Sequence, residues 1–196
     1  MLKYKINHKI KLFLEKIRGI ELTKITTASE LGLDPKKFFQ SSSSGGRELR
    51  AVLLELDIKE TDRILDIGSG KGGAIYTLHQ FPFERIDGIE ISKELVDIAN
   101  DNIAKLNLKK TQIFCQNSNK FSQFGLYNFF YLYNPFDIQT LRETILRIIA
   151  QRQEFTLIYN NPTGHAMLVK LGLKCFRKRR GSFNCEIKLY KFSNKK

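Results

Sequence analysis

Between Ile64 and Gly73 an apolar run gives way to glycine: Ile64-Leu65-Asp66-Ile67 is followed by Gly68-Ser69-Gly70-Lys71-Gly72-Gly73. Ile64, Leu65 and Ile67 predict a short buried strand. Glycine admits left-handed backbone and leaves no Cβ between the main chain and a bound molecule. Ala74 to Gln80 contains no breaker and predicts a helix. Strand, glycine turn and helix N-terminus together form a seat for a nucleotide-like ligand. The rest of the chain is therefore read as strands alternating with helices.

The glycines fit two patterns. Gly68, Gly70 and Gly73 satisfy the dinucleotide fingerprint G-x-G-x-x-G, whereas Gly68, Gly70 and Gly72 satisfy G-x-G-x-G. Asp66 discriminates between them. A carboxylate at the mouth of this loop repels a pyrophosphate and attracts a cation. S-adenosylmethionine (SAM) carries an ammonium and a sulfonium and no phosphate. A P-loop is excluded, because Lys71 is followed by Gly72 rather than Ser or Thr. A second apolar run, Ile86-Asp87-Gly88-Ile89-Glu90-Ile91, places Glu90 22 residues after Gly68. A carboxylate at the end of a second strand accepts ribose hydroxyls, so Glu90 supports an adenosine ligand.

A chain of 196 residues suits one core. No apolar run approaches the ~20 residues of a membrane span, and Lys3, Lys5, Lys9 and Lys11 interrupt any leader-like stretch. Cys115, Cys175 and Cys185 lack paired spacing, which favours free thiols, no metal site and a cytoplasmic location. The net charge of +13 is uneven: residues 1–26 carry +5, residues 170–196 carry +9, and the middle is close to neutral.

Ile6, Ile10, Phe13, Leu14 and Ile17 predict an amphipathic helix with a lysine-rich opposite face. It is read either as a packing helix or as an element that covers a ligand or meets an anionic partner. Thr27 with Glu30, and Asp34-Pro35, predict two short helices. Ser41 to Gly46 is a loop, and Arg47 to Leu56 a helix. Ser92 caps a helix running to about Leu106, and Thr111 to Cys115 is a third strand followed by Asn117 and Ser118. Leu126 to Tyr133 is a fourth strand buried on both faces, ending Tyr133-Asn134-Pro135-Phe136. Asp137 to Ala150 is helical. A fifth strand, Phe155 to Tyr159, ends in a parallel way, Tyr159-Asn160-Asn161-Pro162, with His165 just beyond. If the two strands are neighbours, both endings lie on the ligand-binding edge of the sheet. A short helix at 165–171 and a strand from Leu173 to Arg177 follow. Lys178 to Ser182 is read as a basic turn into a last strand, Asn184 to Phe192.

Asp66-x-Gly-x-Gly-x-Gly, Glu90 and the Asn134-Pro135-Phe136 ending resemble a class I SAM-dependent methyltransferase over residues 47 to 192. The likeness is greatest to small bacterial members with a Ser-Gly-Lys-Gly loop. The resemblance implies a Rossmann-like α/β fold: a seven-stranded, mostly parallel sheet with an antiparallel last strand, preceded by N-terminal helices. Residues 1–46 form a helical segment or lid, and 47–196 the SAM-binding domain. It implies that Asp66, Gly68, Ser69, Gly70, Gly72, Glu90, Ile91, Asn117 and Ser118 hold SAM. It also implies that Asn134, Pro135 and Phe136 position the acceptor, although one proline replaces the family's usual pair. The expected reaction is methyl transfer to an unidentified acceptor, an amine of a protein or other macromolecule, with the basic ends favouring anionic partners, nucleic acid included. O-methylation of a small anionic molecule, a nucleic-acid-binding protein of this fold without turnover, and an NAD(P)-dependent oxidoreductase stand as alternatives. The oligomeric state is left open.

Overall fold

The computed structural model describes residues 2–41, 44–181 and 185–194, with side chains described from Lys9 onward. Its centre is a seven-stranded sheet. The strands are β1 (Arg63–Ile67), β2 (Arg85–Glu90), β3 (Ile113–Cys115), β4 (Phe129–Tyr133), β5 (Glu154–Asn160), β6 (Lys174–Arg180) and β7 (Glu186–Ser193), in the order β3-β2-β1-β4-β5-β7-β6. The first five are mutually parallel, and β7 runs antiparallel between β5 and β6. The helices are α1 (Leu2–Arg18), α2 (Arg47–Leu53), α3 (Gly73–Leu78), α4 (Lys93–Lys105), α5 (Ile138–Gln151) and α6 (His165–Lys170).

Two apolar layers sandwich the sheet. On one face Leu65, Ile67, Phe130 and Leu132 pack against Leu141, Ile145 and Ile148 of α5 and Leu168 of α6. On the other, Ile64, Phe129, Tyr131 and Ile158 meet Leu49, Val52 and Leu53 of α2, Ala74, Ile75 and Leu78 of α3, and Val96 and Ala99 of α4. Parallel strands covered on both faces have to be apolar throughout, which is why β4 and β5 read as continuous runs. Capping follows the sequence: Ser92 accepts the Leu95 N–H at the start of α4, and Asp137 accepts from Gln139 and Thr140 at the start of α5.

Several expectations change. Leu126 belongs to a 3₁₀ turn at Phe124–Leu126, so β4 begins only at Phe129. The Thr27–Glu30 capping box forms, with the Glu30 carboxylate accepting the Thr27 N–H at 2.6 Å, but it closes a turn rather than a helix. Asp34-Pro35 likewise opens a turn. Too few residues follow either cap to propagate a helix. Lys178, Arg179 and Arg180 are not a turn; they complete β6. As the sheet's outer strand, β6 carries charges that discourage pairing with other chains, so a basic run there is compatible with strand. Arg177 and Arg179 both pair with Glu55, which offsets part of the positive charge of this C-terminal run. The Ser182 and Asn184 part of the predicted turn and strand lies outside the described residues, as do Ser42 and Ser43. The β6–β7 connection does fall at the carboxyl edge, because Arg180 pairs with Glu186 and Asn160 with Ile187. Among the described residues, no helix is long and apolar enough to cross a membrane.

Candidate functional site

At the carboxyl ends of β1, β2 and β4 the sheet opens into a cleft, where an open parallel sheet binds its ligands. The floor is the glycine bend. Gly68 and Ser69 donate to the Ile89 carbonyl at 2.9 and 3.0 Å, which ties the bend to β2. Gly68 has φ 78° and Gly70 φ 52°, both left-handed. A Cβ on Gly68 would lie 2.5 Å from the Pro135 Cβ, and one on Gly70 2.7 Å from the Ser41 Oγ. Glycine is therefore required at Gly68 by space as well as by conformation, and at Gly70 by conformation, since the Ser41 hydroxyl can turn aside.

The cleft is lined by Gly68, Ser69, Gly70, Glu90, Ile91, Asn117, Ser118, Pro135 and Phe136, all singled out from sequence, together with Lys71, Gln116 and Tyr133. Asp66, Gly72 and Asn134 do not line it. Asp66 is buried on the α2–α3 side of β1, one strand across from Tyr131. Gly72 precedes α3 in left-handed conformation. Asn134 turns its Oδ1 toward β5, where it accepts from the Tyr159 hydroxyl at 3.0 Å and from Thr163 Oγ1 at 2.7 Å. The Asn117 side chain caps the 3₁₀ turn Ser118–Lys120, and Ser118 Oγ pairs with Thr144 Oγ1 at 2.9 Å.

β4 and β5 are neighbours, with Tyr133 opposite Asn160, so their two Tyr-Asn endings do lie side by side. Asn134 (φ 41°) and Asn161 (φ 53°) both adopt the left-handed conformation that asparagine tolerates better than other side-chain-bearing residues. His165 sits at the start of α6 with Nδ1 2.9 Å from the Tyr190 hydroxyl, away from the cleft lining.

Two carboxyl groups dominate the electrostatics. Glu90 is buried; one oxygen accepts the Gly70 N–H at 3.0 Å and the other those of Ile91 and Ser92 at 2.8 and 2.9 Å. Burial raises its pKa, and the three amides pull the other way. Burial, with the Glu90 carboxylate nearby, pushes the Asp66 carboxyl up to about 8. Among the described residues Asp66 Oδ2 and Ser69 Oγ are buried without a hydrogen-bond partner. The one lysine of the bend is engaged elsewhere: the buried Lys71 Nζ pairs with Glu21 and donates to the Lys24 carbonyl. The bend is thus left short of positive charge, an arrangement that favours a cation and opposes a phosphate.

Residues 20–41, with Ser44, close the cleft from above. Leu22, Leu31, Leu33, Phe38, Phe39 and Ser41 face the floor. Phe38 forms an isolated bridge with Phe136, and Phe39 donates to the Pro135 carbonyl at 3.2 Å. The near end of this cover is fastened by residues that the motifs did not reveal. Asn102 of α4 donates from Nδ2 to the Lys71 and Glu21 carbonyls, both at 2.9 Å, and accepts the Glu21 N–H at 2.8 Å. The available signal was Asn102 itself, a polar residue on the inward stripe of α4 beside Leu95 and Ala99.

Comparison with known proteins identifies the family and the fold. Residues 58–172 match the family model described as a methyltransferase domain. A 66-residue stretch is 33% identical to phosphoethanolamine N-methyltransferase of Plasmodium falciparum; it spans 33% of this chain and only a quarter of that protein's length. A SAM-dependent methyltransferase from Aquifex aeolicus superposes with a TM-score of 0.60 at 18% identity, covering 74% of this chain and 89% of the other. An RNA methyltransferase from Salinibacter ruber, solved with S-adenosyl-L-homocysteine, gives 0.61 at 15% identity, covering 76% and 92%.

Proposed function

The chain belongs to the class I, Rossmann-like methyltransferase-domain family, and from that premise we propose that it transfers a methyl group from SAM to an amine nitrogen of a protein or other macromolecule. The observation that carries the donor assignment is a pair of buried carboxyl groups, Glu90 lining the cleft and Asp66 in the adjoining strand without reaching the lining, neither of them in an ion pair among the described residues. Ser69 has an unused polar atom in the cleft, Asp66 has one buried outside its lining, the carboxylate of Glu90 in the cleft fits ribose hydroxyls, and the Gly68 and Gly70 backbone leaves room that a side chain would fill. These residues fit a cationic, phosphate-free adenosine ligand, which supplies the electrophilic methyl carbon. Ile91, Asn117 and Ser118 are assigned to the adenosine end, with Gly72 shaping the bend.

The chain's own contribution is placement. Methyl transfer breaks a C–S bond and forms a C–N bond in line, so a positioned neutral amine needs no strong base. Its proton is lost to solvent afterwards. Effective molarity supplies about 7–11 kcal/mol of such a barrier. Pro135 and Phe136 wall the acceptor side of the cleft. Asn134, held by Tyr159 and Thr163, serves as the brace that fixes this corner, rather than as a free side chain reaching for the amine. Residues 20–41 act as a lid that excludes water. The short stretch related to an enzyme named as an N-methyltransferase supports nitrogen as the target.

Labelled SAM incubated with cell extract, then divided into protein, nucleic-acid and small-molecule fractions, tests this reading. Label in the protein fraction, lost with Asp66→Ala, is the expected result. Label confined to small molecules redirects the acceptor, and no incorporation into any fraction overturns turnover itself.

A further inference from the structure

The amphipathic helix α1 faces the wrong way for a packing helix. Its large apolar side chains Ile10, Phe13, Leu14 and Ile17 are 51, 64, 52 and 67% exposed. Glu15 and Leu12, on the opposite side, are the members of residues 9–18 that are half-buried. The Glu15 carboxylate accepts the Leu22 and Thr23 N–H groups, both at 3.0 Å, and Lys105 Nζ holds the Gly19 carbonyl at 2.6 Å. These bonds fix the end of the helix with Leu12 and Glu15 inward and Lys9, Lys11, Lys16 and Arg18 exposed. At about 3.6 residues per turn, the four apolar residues span an arc of about 100°. Lys9 and Lys16 border that arc on one side, and Lys11 and Arg18 on the other.

A second feature adjoins the stripe. Leu14, one of its members, also lines a cavity between α1 and α2 that is walled by Lys11, Arg18, Arg47 and Arg50. Glu15 is the one acid in that lining, and its oxygens are already engaged with Leu22 and Thr23. Among the described residues Lys11, Arg18 and Arg47 make no ion pair. Cationic side chains around a concave surface select a phosphate-like anion.

We propose that α1 seats this protein on an anionic phospholipid surface, its apolar stripe at the acyl boundary and the adjoining cationic cavity on a headgroup phosphate. An apolar arc bordered on both sides by lysine and arginine is the pattern of helices that lie in a bilayer interface, where the basic side chains extend to the headgroups. Two other occupants fit less well. Nucleic acid uses the cations but leaves four aliphatic and aromatic side chains with nothing to bury against. A second copy brings another helix of net charge +5 against the first, cation to cation. Because α1 runs directly into residues 20–41, such a seat sets the cleft's cover beside the bilayer. The proposal stands independently of the methyl-transfer reading.

Co-sedimentation of the full chain with vesicles tests it, comparing phosphatidylcholine alone with equal parts phosphatidylcholine and phosphatidylglycerol. Roughly tenfold or greater preference for the anionic vesicles is expected, weakening as salt is raised. Phe13→Glu with Ile17→Glu should abolish binding while leaving the unfolding midpoint unchanged, since both side chains are exposed. Arg47→Gln with Arg50→Gln should retain residual binding but lose most of the anionic preference. Failure of the parent chain to bind anionic vesicles overturns the proposal, as does binding indifferent to the Phe13/Ile17 substitutions. A dimer in solution that those substitutions dissolve overturns it in favour of self-association.

Discussion

Replacing Asp66 by asparagine should make the unliganded protein more stable and its donor site worse. The Asp66 carboxyl is raised from 3.8 to about 8 by burial, with Glu90 adding to it. A group whose folded pKa lies above its unfolded value imposes no penalty below the unfolded pKa. The penalty then grows as pH rises and levels off above the folded pKa. At about 1.36 kcal/mol per unit, roughly four units give a ceiling of about 5–6 kcal/mol above pH ~8. Asparagine escapes this penalty but leaves its own buried amide unpaired, which costs about 1–3 kcal/mol. The net expectation is a gain of about 2–4 kcal/mol near pH 8.5 and none, or a small loss, near pH 4. For a chain of this length that is a rise in melting temperature of about 5–15 °C at the higher pH. Thermal unfolding of parent and variant at the two pH values, with and without SAM, is the assay. In the parent SAM should raise the midpoint; in Asp66→Asn that increment should largely vanish. A variant no more stable than its parent at the higher pH would show that Asp66 is not held protonated by an incomplete site, and the electrostatic argument would fail.

Other consequences follow from the same geometry. Because burial holds Asp66 protonated below pH ~8, and a cation bound in the neighbouring cleft favours its ionised form, SAM binding should release protons near pH 7 and strengthen as pH rises toward 8; calorimetry in buffers of different ionisation enthalpy reads this, and the release should be absent in Asp66→Asn. Lys71→Met removes the ammonium that holds Glu21 and the Lys24 carbonyl, so residues 20–41 should become sensitive to limited proteolysis and donor affinity should fall about 10- to 100-fold, or ~1.4–2.8 kcal/mol. Undiminished protection of that segment would show that the lysine does not fasten the lid. Gly68→Ala places a Cβ 2.5 Å from Pro135 at a φ of 78°, and a loss of about 1–3 kcal/mol in stability, with donor binding abolished, is expected by denaturant titration and calorimetry.

The sheet and the cleft were legible because their determinants are local. Clustered apolar residues mark β1, β4 and β5, Ile86 and Ile89 mark β2, and the glycine bend states its conformation in its composition. Ser92 and Asp137 announce their helices by side-chain chemistry. What escaped was set by long-range contacts or by direction. The α1 periodicity identified a stripe, but a stripe does not say whether it faces protein or solvent. The last residues of β6, Lys178 to Arg180, read as a turn because outer strands tolerate the charges that core strands exclude. The Lys71–Glu21–Asn102 fastening joins residues far apart in the chain, and the engagement of Asn134 by Tyr159 and Thr163 depends on the adjacency of β4 and β5. The state of Asp66 depends on its burial, and its residue type gives no sign of it.

Binding isotherms for SAM, S-adenosylhomocysteine, adenosine and NAD test the central claim most directly, because the four ligands share adenosine and differ in charge. Two buried carboxyl groups, Glu90 in the cleft and Asp66 beside it, predict that SAM and S-adenosylhomocysteine, which carry an ammonium, bind well. Adenosine should bind weakly and NAD not measurably. NAD binding as tightly as SAM, or adenosine matching both, would contradict the account.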